Sequence, residues 1–334
     1  MPTALVTGAT GLVGSHVVER LRNDGWQVRA LVRDPSRAAW LERWGTELAV
    51  GDTLDATTLP RAMAGCAVVF QTAAAVTADG GWEAFRHPNV DGTRNVVDAA
   101  AAAAARLVHV SSVAVYGASA RYGAAGDKTS EDTPLAPLDE HSYYARSKRE
   151  SERLVLDAHA EGRLWATAVR PDVVYGPRDR QFVPRLARLL RFGVAPVIGG
   201  GHTTLAVVHA ANVADGMTRA AMHDAAGGRA YNLANDFDVT AAEFFRFAAA
   251  GLAREVRLLS MPASAARVIM RIVALATPAR LRSSLGQSVD FLSRDNPFTS
   301  ERARRELGWD PQVRPREGVE GAFRWYANWR RHPG

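Results

Sequence analysis

Three glycines near the start of the chain stand between a short apolar run and an amphipathic stretch. The segment reads Val6-Thr7-Gly8-Ala9-Thr10-Gly11-Leu12-Val13-Gly14. Gly8 permits a tight turn, Gly11 lets a phosphate approach the backbone, and Gly14 lets a following helix pack closely on a sheet. Free N–H groups at the start of that helix face an anion. A glycine-rich turn without function is the alternative, but the strand-to-helix context favours a dinucleotide-binding loop. The expected contacts are Thr7, Gly8, Thr10, Gly11, Leu12, Val13 and Gly14.

Apolar β-branched runs alternate with helical patterns through the first half of the chain. The predicted strands are Ala4–Val6, Val28–Val32, Glu47–Val50, Ala67–Gln71, Leu107–Ser111 and Ala166–Val169. The predicted helices are Ser15–Asn23, Asn89–Ala105 and Ser142–Ala160. Strands separated by helices indicate an α/β fold with a Rossmann-type doubly wound parallel sheet. The strands are apolar on both faces, which is typical of a buried parallel sheet.

The pattern changes after Gly176-Pro177, and 334 residues exceed what one core usually organises. We therefore expect a nucleotide-binding domain over residues 1–176, with a return of the chain around 210–235. Residues 177–209 and 236–334 would form a smaller, partly interleaved C-terminal substrate domain. Its predicted elements are strands at Leu205–His209 and Ala230–Leu233, a helix at Asp238–Gly251 capped near Asp238 or Thr240, an apolar helix at Met261–Leu285, and a helix at Thr299–Gly308 that opens with a capping-box-like Thr299-Ser300-Glu301.

Composition narrows the class of protein. The only cysteine is Cys66, so a disulfide framework is excluded and a reducing, cytoplasmic location is expected. The net charge is +6, but the arginines are scattered among acids, which favours a solvated surface over a nucleic-acid site. No apolar run reaches the roughly 20 residues of a membrane span. We expect neither a nucleic-acid partner nor a membrane span, and no metal.

The end of the second predicted strand bears on which dinucleotide is bound. Binders of NAD usually place an acid there to accept the ribose hydroxyls. Here Val32 holds that place, and Arg33 follows. An arginine favours the 2′-phosphate of NADP through a charge-assisted contact, so Arg33 and Arg37 are the candidate ligands. If the register shifts, Asp34 becomes the acid and NAD the cofactor.

Tyr144 and Lys148 are four residues apart in a predicted helix, which puts both side chains on one face. A phenol has a pKa near 10, and a neighbouring ammonium stabilises its phenolate. Such a pair can exchange a proton with a substrate oxygen. Tyr143 has no lysine four residues on, because residue 147 is serine. Ser111 and Ser112 end the fifth predicted strand, where they either hold a substrate oxygen or simply cap the strand.

These motifs together resemble the extended short-chain dehydrogenase/reductases, the NAD(P)-dependent epimerase/dehydratase group. The resemblance covers essentially the whole chain. It is carried by Thr7 to Gly14, Gly51-Asp52-Thr53-Leu54-Asp55, Asn89 to Val96, Ser111-Ser112 with Val115-Tyr116-Gly117, Tyr144 with Lys148, and Arg170-Pro171-Asp172-Val173-Val174-Tyr175-Gly176-Pro177. Residues 28–35 look like the dihydroflavonol reductase branch. The tail 295–309 looks like the 3β-hydroxysteroid dehydrogenase and sugar-epimerase branches.

The resemblance implies roles by position. Ser112, Tyr144 and Lys148 match the catalytic serine, the acid–base tyrosine and the lysine that also holds the nicotinamide ribose. Asn89 matches a helix asparagine, and Asp172 stands where the family is often small or neutral. The implied cofactor contacts are Asp52 and Thr53 at the adenine, Ala73 and Ala74 after the fourth strand, and Ser111, Pro171 and Val174 near the nicotinamide.

Three functions are compatible with this pattern. The first is an NADP-dependent carbonyl reductase or alcohol dehydrogenase, with NAD as the alternative cofactor, acting on a mid-sized, largely apolar small molecule. The second is a nucleotide-sugar 4-epimerase or dehydratase with retained NAD, for which Arg178, Arg180, Arg185 and Arg188 could meet a diphosphate. The third, a non-catalytic dinucleotide sensor, is opposed by the Ser112, Tyr144 and Lys148 set. Helices Asn89–Ala105 and Ser142–Ala160 could supply a homodimer surface.

Overall fold

Eleven strands and eleven helices are found in the computed structural model, which describes residues 1–77, 80–117, 128–262, 264–266, 268 and 294–331. The strands are β1 (Thr3–Thr7), β2 (Gln27–Val32), β3 (Glu47–Val50), β4 (Val68–Gln71), β5 (Arg106–Val110), β6 (Ala166–Pro171), β7 (Val173–Tyr175), β8 (Val194–Ile198), β9 (Val207–His209), β10 (Ala230–Leu233) and β11 (Arg257–Met261). The helices are α1 (Leu12–Asn23), α2 (Ala39–Glu42), α3 (Leu59–Met63), α4 (Gly81–Arg86), α5 (Gly92–Ala102), α6 (Tyr143–Ala160), α7 (Phe182–Leu190), α8 (Ala210–Met222), α9 (Ala241–Gly251), α10 (Glu301–Leu307) and α11 (Pro315–Arg331).

Seven of the strands form one sheet in the order β10-β6-β5-β4-β1-β2-β3, and every neighbouring pair is parallel. The predicted α/β class with a doubly wound parallel sheet is therefore confirmed. The chain order reverses direction at β1, which lies between β2 and β4. At such a switch point the loops on either side diverge, and they leave a crevice at the carboxyl ends of the strands.

The core of the sheet domain is built from the apolar faces that the strand and helix patterns predicted. Leu5, Val69 and Leu107 of β1, β4 and β5 are fully buried against α3, α5 and α6. Val96 and Val155 supply the facing side chains from α5 and α6. Burial of one such side chain contributes about 1.5–3 kcal/mol, so this face fixes α6 against the strands that end at the crevice.

Two compact units divide the chain. Unit 1 comprises Met1–Val174, Ala210–Ala234 and Phe298–Gln312, and unit 2 comprises Tyr175–His209, Asn235–Pro297 and Val313–Gly334. The prediction had placed all of 236–334 in the C-terminal domain, whereas 298–312 lies in unit 1. The physical reason is Trp309, which is buried and donates its indole N–H to the Asn212 carbonyl at 2.9 Å. Phe298 also packs against Tyr116 in the same unit.

Several element boundaries differ from the predictions. The long helix expected over Asn89–Ala105 begins as a wider turn at His87–Asp91 and ends at Ala102, because Ala104 takes a φ of 51° before β5. Thr240, rather than Asp238, caps α9 and forms a capping box with Glu243. Elements not predicted at all are α2, α3, α4, α7, α8, α11, β7, β8 and β11.

The expected capping box at α10 does not form. The Ser300 hydroxyl accepts instead from the Ala234 N–H at 3.0 Å, which joins the start of α10 to the end of β10. The helix does stop at Gly308, in the left-handed conformation. Of the helix predicted over Met261–Leu285, residues 263, 267 and 269–285 lie outside the described residues. In the described part of the chain, no helix is long and apolar enough to cross a membrane.

Candidate active site

The carboxyl ends of the parallel strands gather the candidate residues at one edge of the sheet. The glycine turn follows β1, and Arg33 follows β2 directly. Asp52 and Thr53 follow β3, Ala73 and Ala74 follow β4, and Ser111 and Ser112 follow β5. Pro171 is the last residue of β6, and Val174 lies in the short β7. Ligands of open parallel sheets bind at this edge.

The glycine turn is too tightly packed for side chains at two of its positions. Gly8 has a φ of +65°, and a Cβ there would lie 2.8 Å from the Ala73 backbone N. A Cβ on Gly14 would lie 2.3 Å from the Gly8 carbonyl oxygen. The Gly11 N–H donates to that same oxygen at 2.9 Å. Helix α1 then begins at Leu12 with no side-chain cap, so its first N–H groups remain available to an anion.

The ends of β1 and β4 are tied together beneath this turn. The Thr72 hydroxyl donates to the Thr7 carbonyl at 2.7 Å, and the Ala73 N–H donates to the Thr7 hydroxyl at 3.3 Å. These bonds hold the loop after β4 against the glycine turn. They explain why the two loops approach too closely to admit a Cβ at Gly8.

Arg33 stands at the rim, where β2 has ended at Val32. Its side chain is 83% exposed, and Nη1 lies 4.0 Å from Asp52 Oδ2. The carboxylate of Asp34 is already hydrogen-bonded within its own turn. It accepts from the N–H of Ser36 at 3.0 Å and from the Ser36 hydroxyl at 2.6 Å. Those bonds lower the pKa of Asp34. Arg37 is exposed and lies 3.7 Å from Asp34.

The two serines after β5 are buried and differ in their partners. The Ser112 hydroxyl oxygen accepts from the Ala114 N–H at 3.2 Å. The Ser111 hydroxyl has no hydrogen-bond partner in the described part of the chain. A buried hydroxyl without a partner costs about 1–3 kcal/mol, so Ser111 is matched to a ligand group that would complete its hydrogen bonding. Together with the uncapped α1, this fits a dinucleotide lying across the strand ends.

Tyr144 and Lys148 lie in the first two turns of α6. The Lys148 side chain is fully buried, and its Nζ donates to the Val110 carbonyl at 2.8 Å. Burial lowers the pKa of this ammonium to about 8. Val110 directly precedes Ser111, so this bond ties the lysine to the strand that carries both serines. Tyr144 is half-buried, with its ring edge against Phe85. The neighbouring Tyr143 hydroxyl instead bonds the exposed His141 at 3.1 Å.

The buried face of α6 is held by polar contacts to three other parts of the sheet domain: β5, the turn at His87–Asp91 and β6. Besides the Lys148 bond to β5, the Ser147 hydroxyl accepts from Asn89 Nδ2 at 2.9 Å. The same asparagine bonds both the N–H and the carbonyl of Ala75. Asn89 thus joins α6 to the loop after β4, a positioning contact that sequence analysis could name but not describe.

A buried ion pair holds the next turn of α6. Both oxygens of Glu152 accept from Arg170 of β6, at 2.9 and 2.6 Å. Arg170 also donates to the Tyr116 hydroxyl at 2.8 Å, which in turn donates to Asn232 at 2.9 Å. Burial by itself lowers the pKa of Arg170, but the ion pair with Glu152 outweighs it and raises that pKa above its usual value. The family motifs that contain Arg170 and Tyr116 therefore supply a scaffold under the site.

His109 belongs to a hydrogen-bond chain whose direction can be worked out. The Thr93 hydroxyl donates to the Asn89 carbonyl, so it must accept from the Gln71 amide nitrogen. The Gln71 oxygen then faces His109 Nδ1 at 3.0 Å, and that nitrogen carries the proton. His109 Nε2 lies 3.2 Å from the Ser151 hydroxyl, which donates to the Lys148 carbonyl at 3.1 Å. Burial and the Lys148 charge lower the pKa of His109, so the imidazole is neutral.

Sequence analysis missed this hydrogen-bond chain, although the sequence contains a signal for it. Gln71 and His109 interrupt otherwise apolar runs, and they are direct partners in the β4–β5 register.

The remaining candidate residues lie as follows. Thr53 is buried and its carbonyl accepts from Asn95, Asp172 Oδ1 accepts from the Val173 N–H, and Ala74 is half-buried. No cluster of three metal-ligating side chains occurs in the parts of the chain that are described.

This fold and edge define a class, the dinucleotide-binding α/β enzymes. Residues 4–234 match the NAD dependent epimerase/dehydratase family. The chain belongs to that family, and it is an NAD(P)-dependent oxidoreductase of the extended short-chain dehydrogenase/reductase type.

Characterised relatives include ketone reductases. The chain is 32% identical over 321 residues to 4-hydroxy-2-methyl-3-oxo-4-farnesyl-3,4-dihydroquinoline-1-oxide ketoreductase of Stigmatella aurantiaca, covering 94% of each chain. It is 30% identical to 2-alkyl-3-oxoalkanoate reductase of Stenotrophomonas maltophilia, covering 94% of this chain and 96% of the relative. Among solved structures, MoeE5 in complex with UDP-glucose and NAD superposes with a TM-score of 0.72 at 26% identity, covering 99% and 100% of the two chains.

Proposed function

We propose that the chain is an NADP-dependent carbonyl reductase or alcohol dehydrogenase acting on a mid-sized, largely apolar substrate, with Ser112, Tyr144 and Lys148 as its catalytic residues. The observation that carries this proposal is the 2.8 Å bond from Lys148 to Val110. It fixes an ammonium one helical turn from Tyr144 and next to the strand end that bears the serines. Proton exchange by a tyrosine needs such a charge close by.

The strand-end residues would hold the cofactor. The turn from Thr7 to Gly14 and the start of α1 would take the pyrophosphate, and Asp52 and Thr53 the adenine end. Arg33, with Arg37 behind it, would bind the 2′-phosphate. Asp34 supports this assignment, because its carboxylate already accepts two hydrogen bonds from Ser36. The residues that would border the nicotinamide are Ala73, Ala74, Ser111, Pro171 and Val174. When bound, the nicotinamide supplies or accepts the hydride.

The protein's own residues would move and hold a proton at the substrate oxygen. In the direction of reduction, Ser112 donates its hydroxyl hydrogen to the carbonyl oxygen and orients it. Tyr144 transfers its phenolic proton to that oxygen as the alcohol forms. The Lys148 ammonium stabilises the phenolate that remains. In the direction of oxidation, the phenolate takes the proton back from the alcohol.

The substrate class is drawn from the relatives. The names of the two curated relatives describe oxo groups on molecules with a farnesyl or alkyl chain. An apolar body beside a reducible ketone is therefore the class we assign to this chain. The second candidate, a nucleotide-sugar 4-epimerase or dehydratase, is favoured by the likeness to MoeE5, whose structure holds UDP-glucose and NAD.

A panel of ketones tests the proposal, with oxidation of NADPH and of NADH followed separately. The panel contains a long-chain 3-oxo acid, a 2-alkyl-substituted analogue, a steroid ketone and a prenylated quinoline. Tyr144→Phe should lower turnover by about 10²–10⁴-fold, since it removes the proton donor. Tyr143→Phe is the matched control and should retain wild-type turnover. Wild-type rates in Tyr144→Phe would refute the mechanism. Conversion of UDP-glucose without net consumption of NADPH would replace it with the epimerase reaction.

A further inference from the structure

The turn that follows α7 in unit 2 exposes apolar side chains among arginines. Phe192 is 68% exposed and Leu189 is 39% exposed. Arg188 and Arg191 are exposed beside them, and Arg257 lies next to Gly193 across the β8–β11 pair. We call these five residues, Arg188, Leu189, Arg191, Phe192 and Arg257, the α7 tip. It contains none of the residues proposed for carbonyl reduction, and of its members only Arg188 is named for the nucleotide-sugar alternative.

The backbone holds the α7 tip in place. The Gly193 N–H donates to the Leu190 carbonyl at 3.0 Å, and the Arg257 N–H donates to the Gly193 carbonyl at 2.8 Å. Gly193 makes the turn with a φ of +70°. The Arg191 guanidinium lies 4.4 Å from the centre of the Phe192 ring. Phe192 is therefore presented to solvent by a bonded turn, and the neighbouring strand adds Leu259, which is 44% exposed.

The charge of this surface is one-sided. Residues 180–214 contain no Asp or Glu, but they contain Arg180, Arg185, Arg188 and Arg191. The preceding acid, Asp179, accepts from the N–H groups of Gln181, Phe182 and Val183 at the start of α7. On the strand side, Glu255 stands between Arg254 and Arg257. In the sequence segments that form this surface, positive charge thus exceeds negative charge.

We infer that the α7 tip docks the protein on the surface of an anionic lipid bilayer. Arginines near such a surface are attracted to the headgroups, each by about fivefold in affinity. Phe and Leu side chains at the same level leave water for the interface, as in interfacial amphipathic segments. An acidic protein or a nucleic acid would complement the arginines alone. The interleaved Leu189 and Phe192 favour the bilayer, whose interface complements both kinds of side chain.

Sedimentation with sucrose-loaded vesicles tests this inference on the full chain. We expect binding to vesicles of phosphatidylglycerol and phosphatidylcholine in equal parts, much weaker binding to pure phosphatidylcholine, and loss of binding at high salt. The variant Arg188→Glu with Arg191→Glu should weaken binding by at least about 25-fold, at about fivefold for each arginine lost. Phe192→Ser should weaken it severalfold without any change in charge.

Matched variants separate the tip from general electrostatics. Arg43→Glu with Arg61→Glu makes the same change in net charge on exposed arginines of unit 1, and it should bind vesicles far better than the tip variant. Trp329→Ser controls for loss of an exposed aromatic side chain. Unchanged melting temperatures establish that all variants fold. Equal loss in the two arginine pairs, no effect of Phe192→Ser, or binding to heparin or an acidic protein but not to vesicles would overturn the inference.

Discussion

Lys148 Nζ donates to the Val110 carbonyl oxygen at 2.8 Å, so a fully buried ammonium is fixed to the strand that ends in Ser111 and Ser112. An ammonium placed there loses most of its hydration. Burial therefore disfavours the charged form of Lys148 in the folded protein. The protonation of Lys148 should therefore be detectable as a pH dependence of the free energy of unfolding.

Lys148→Met should change how stability depends on pH. The lysine has a pKa of 10.5 when unfolded and about 8 when folded. Between these values the unfolded state binds more protons, so wild-type stability rises with pH relative to the variant, by up to about 3 kcal/mol. Urea unfolding at pH 7.5 and pH 10 measures the difference. Lys128→Met, at the chain's other, exposed lysine, should show no such change. A pH-independent difference for Lys148→Met would contradict the buried-ammonium interpretation.

Arg33→Ser should shift the cofactor preference. Loss of a charge-assisted contact of about 1.5–3 kcal/mol raises KM for NADPH by about 10- to 150-fold, with little effect on NADH. Arg43→Ser, another exposed arginine of unit 1, is the control. Steady-state kinetics with both cofactors provide the measurement. An unchanged ratio of kcat/KM values would remove Arg33 from the phosphate site.

Gly14→Ala should damage both stability and cofactor binding. The new Cβ would lie 2.3 Å from the Gly8 carbonyl oxygen and 2.6 Å from the Thr72 hydroxyl, so the turn must shift. Overpacking of this kind costs about 1–3 kcal/mol or more. NADPH fluorescence titration and thermal melting report the two effects. Gly321→Ala in α11 meets no atom within 4 Å and should be neutral or slightly stabilising. Normal NADPH binding by Gly14→Ala would show that the turn is not the phosphate site.

Glu152→Gln should destabilise unit 1 strongly. It leaves the Arg170 guanidinium buried beside a neutral partner, at a cost of about 3–5 kcal/mol. Glu150→Gln breaks an exposed pair with Arg146 on the same helix and should cost less than about 1 kcal/mol. Denaturant unfolding compares the two variants. Similar losses for both would mean that burial does not govern the Arg170 pair.

His209→Gln should make the protein less sensitive to acid. Burial lowers the pKa of His209 from 6.5 to about 4. The unfolded state therefore binds more protons below pH 6.5, and wild-type stability falls between pH 6.5 and 4 by up to about 3 kcal/mol from this group. The variant should lose that part of the slope, measured by urea unfolding across this range. His87→Gln, at an exposed histidine, is the control variant.

The strand-and-helix pattern of the first half was predictable because buried parallel strands are apolar on both faces. Glu47–Val50 and Ala230–Leu233 match their predicted bounds. The sequence analysis missed helices such as α7 and α8, because the faces that these helices bury depend on neighbours far along the chain. The tail 298–312 was assigned to the wrong unit, because only packing reveals that Trp309 reaches Asn212.

The sequence alone determined the glycine turn, the order of motifs and the Tyr144–Lys148 spacing, because each depends on local backbone geometry and helical periodicity. The tertiary structure decided what lies beneath them. Gln71 pairs with His109, Asn89 with Ser147 and Glu152 with Arg170, across 38, 58 and 18 residues of chain. Such contacts follow from strand order and helix packing. A local pattern can flag a polar residue in an apolar run, as at Gln71 and His109, but it does not name the partner, since the partners meet only after the sheet has formed.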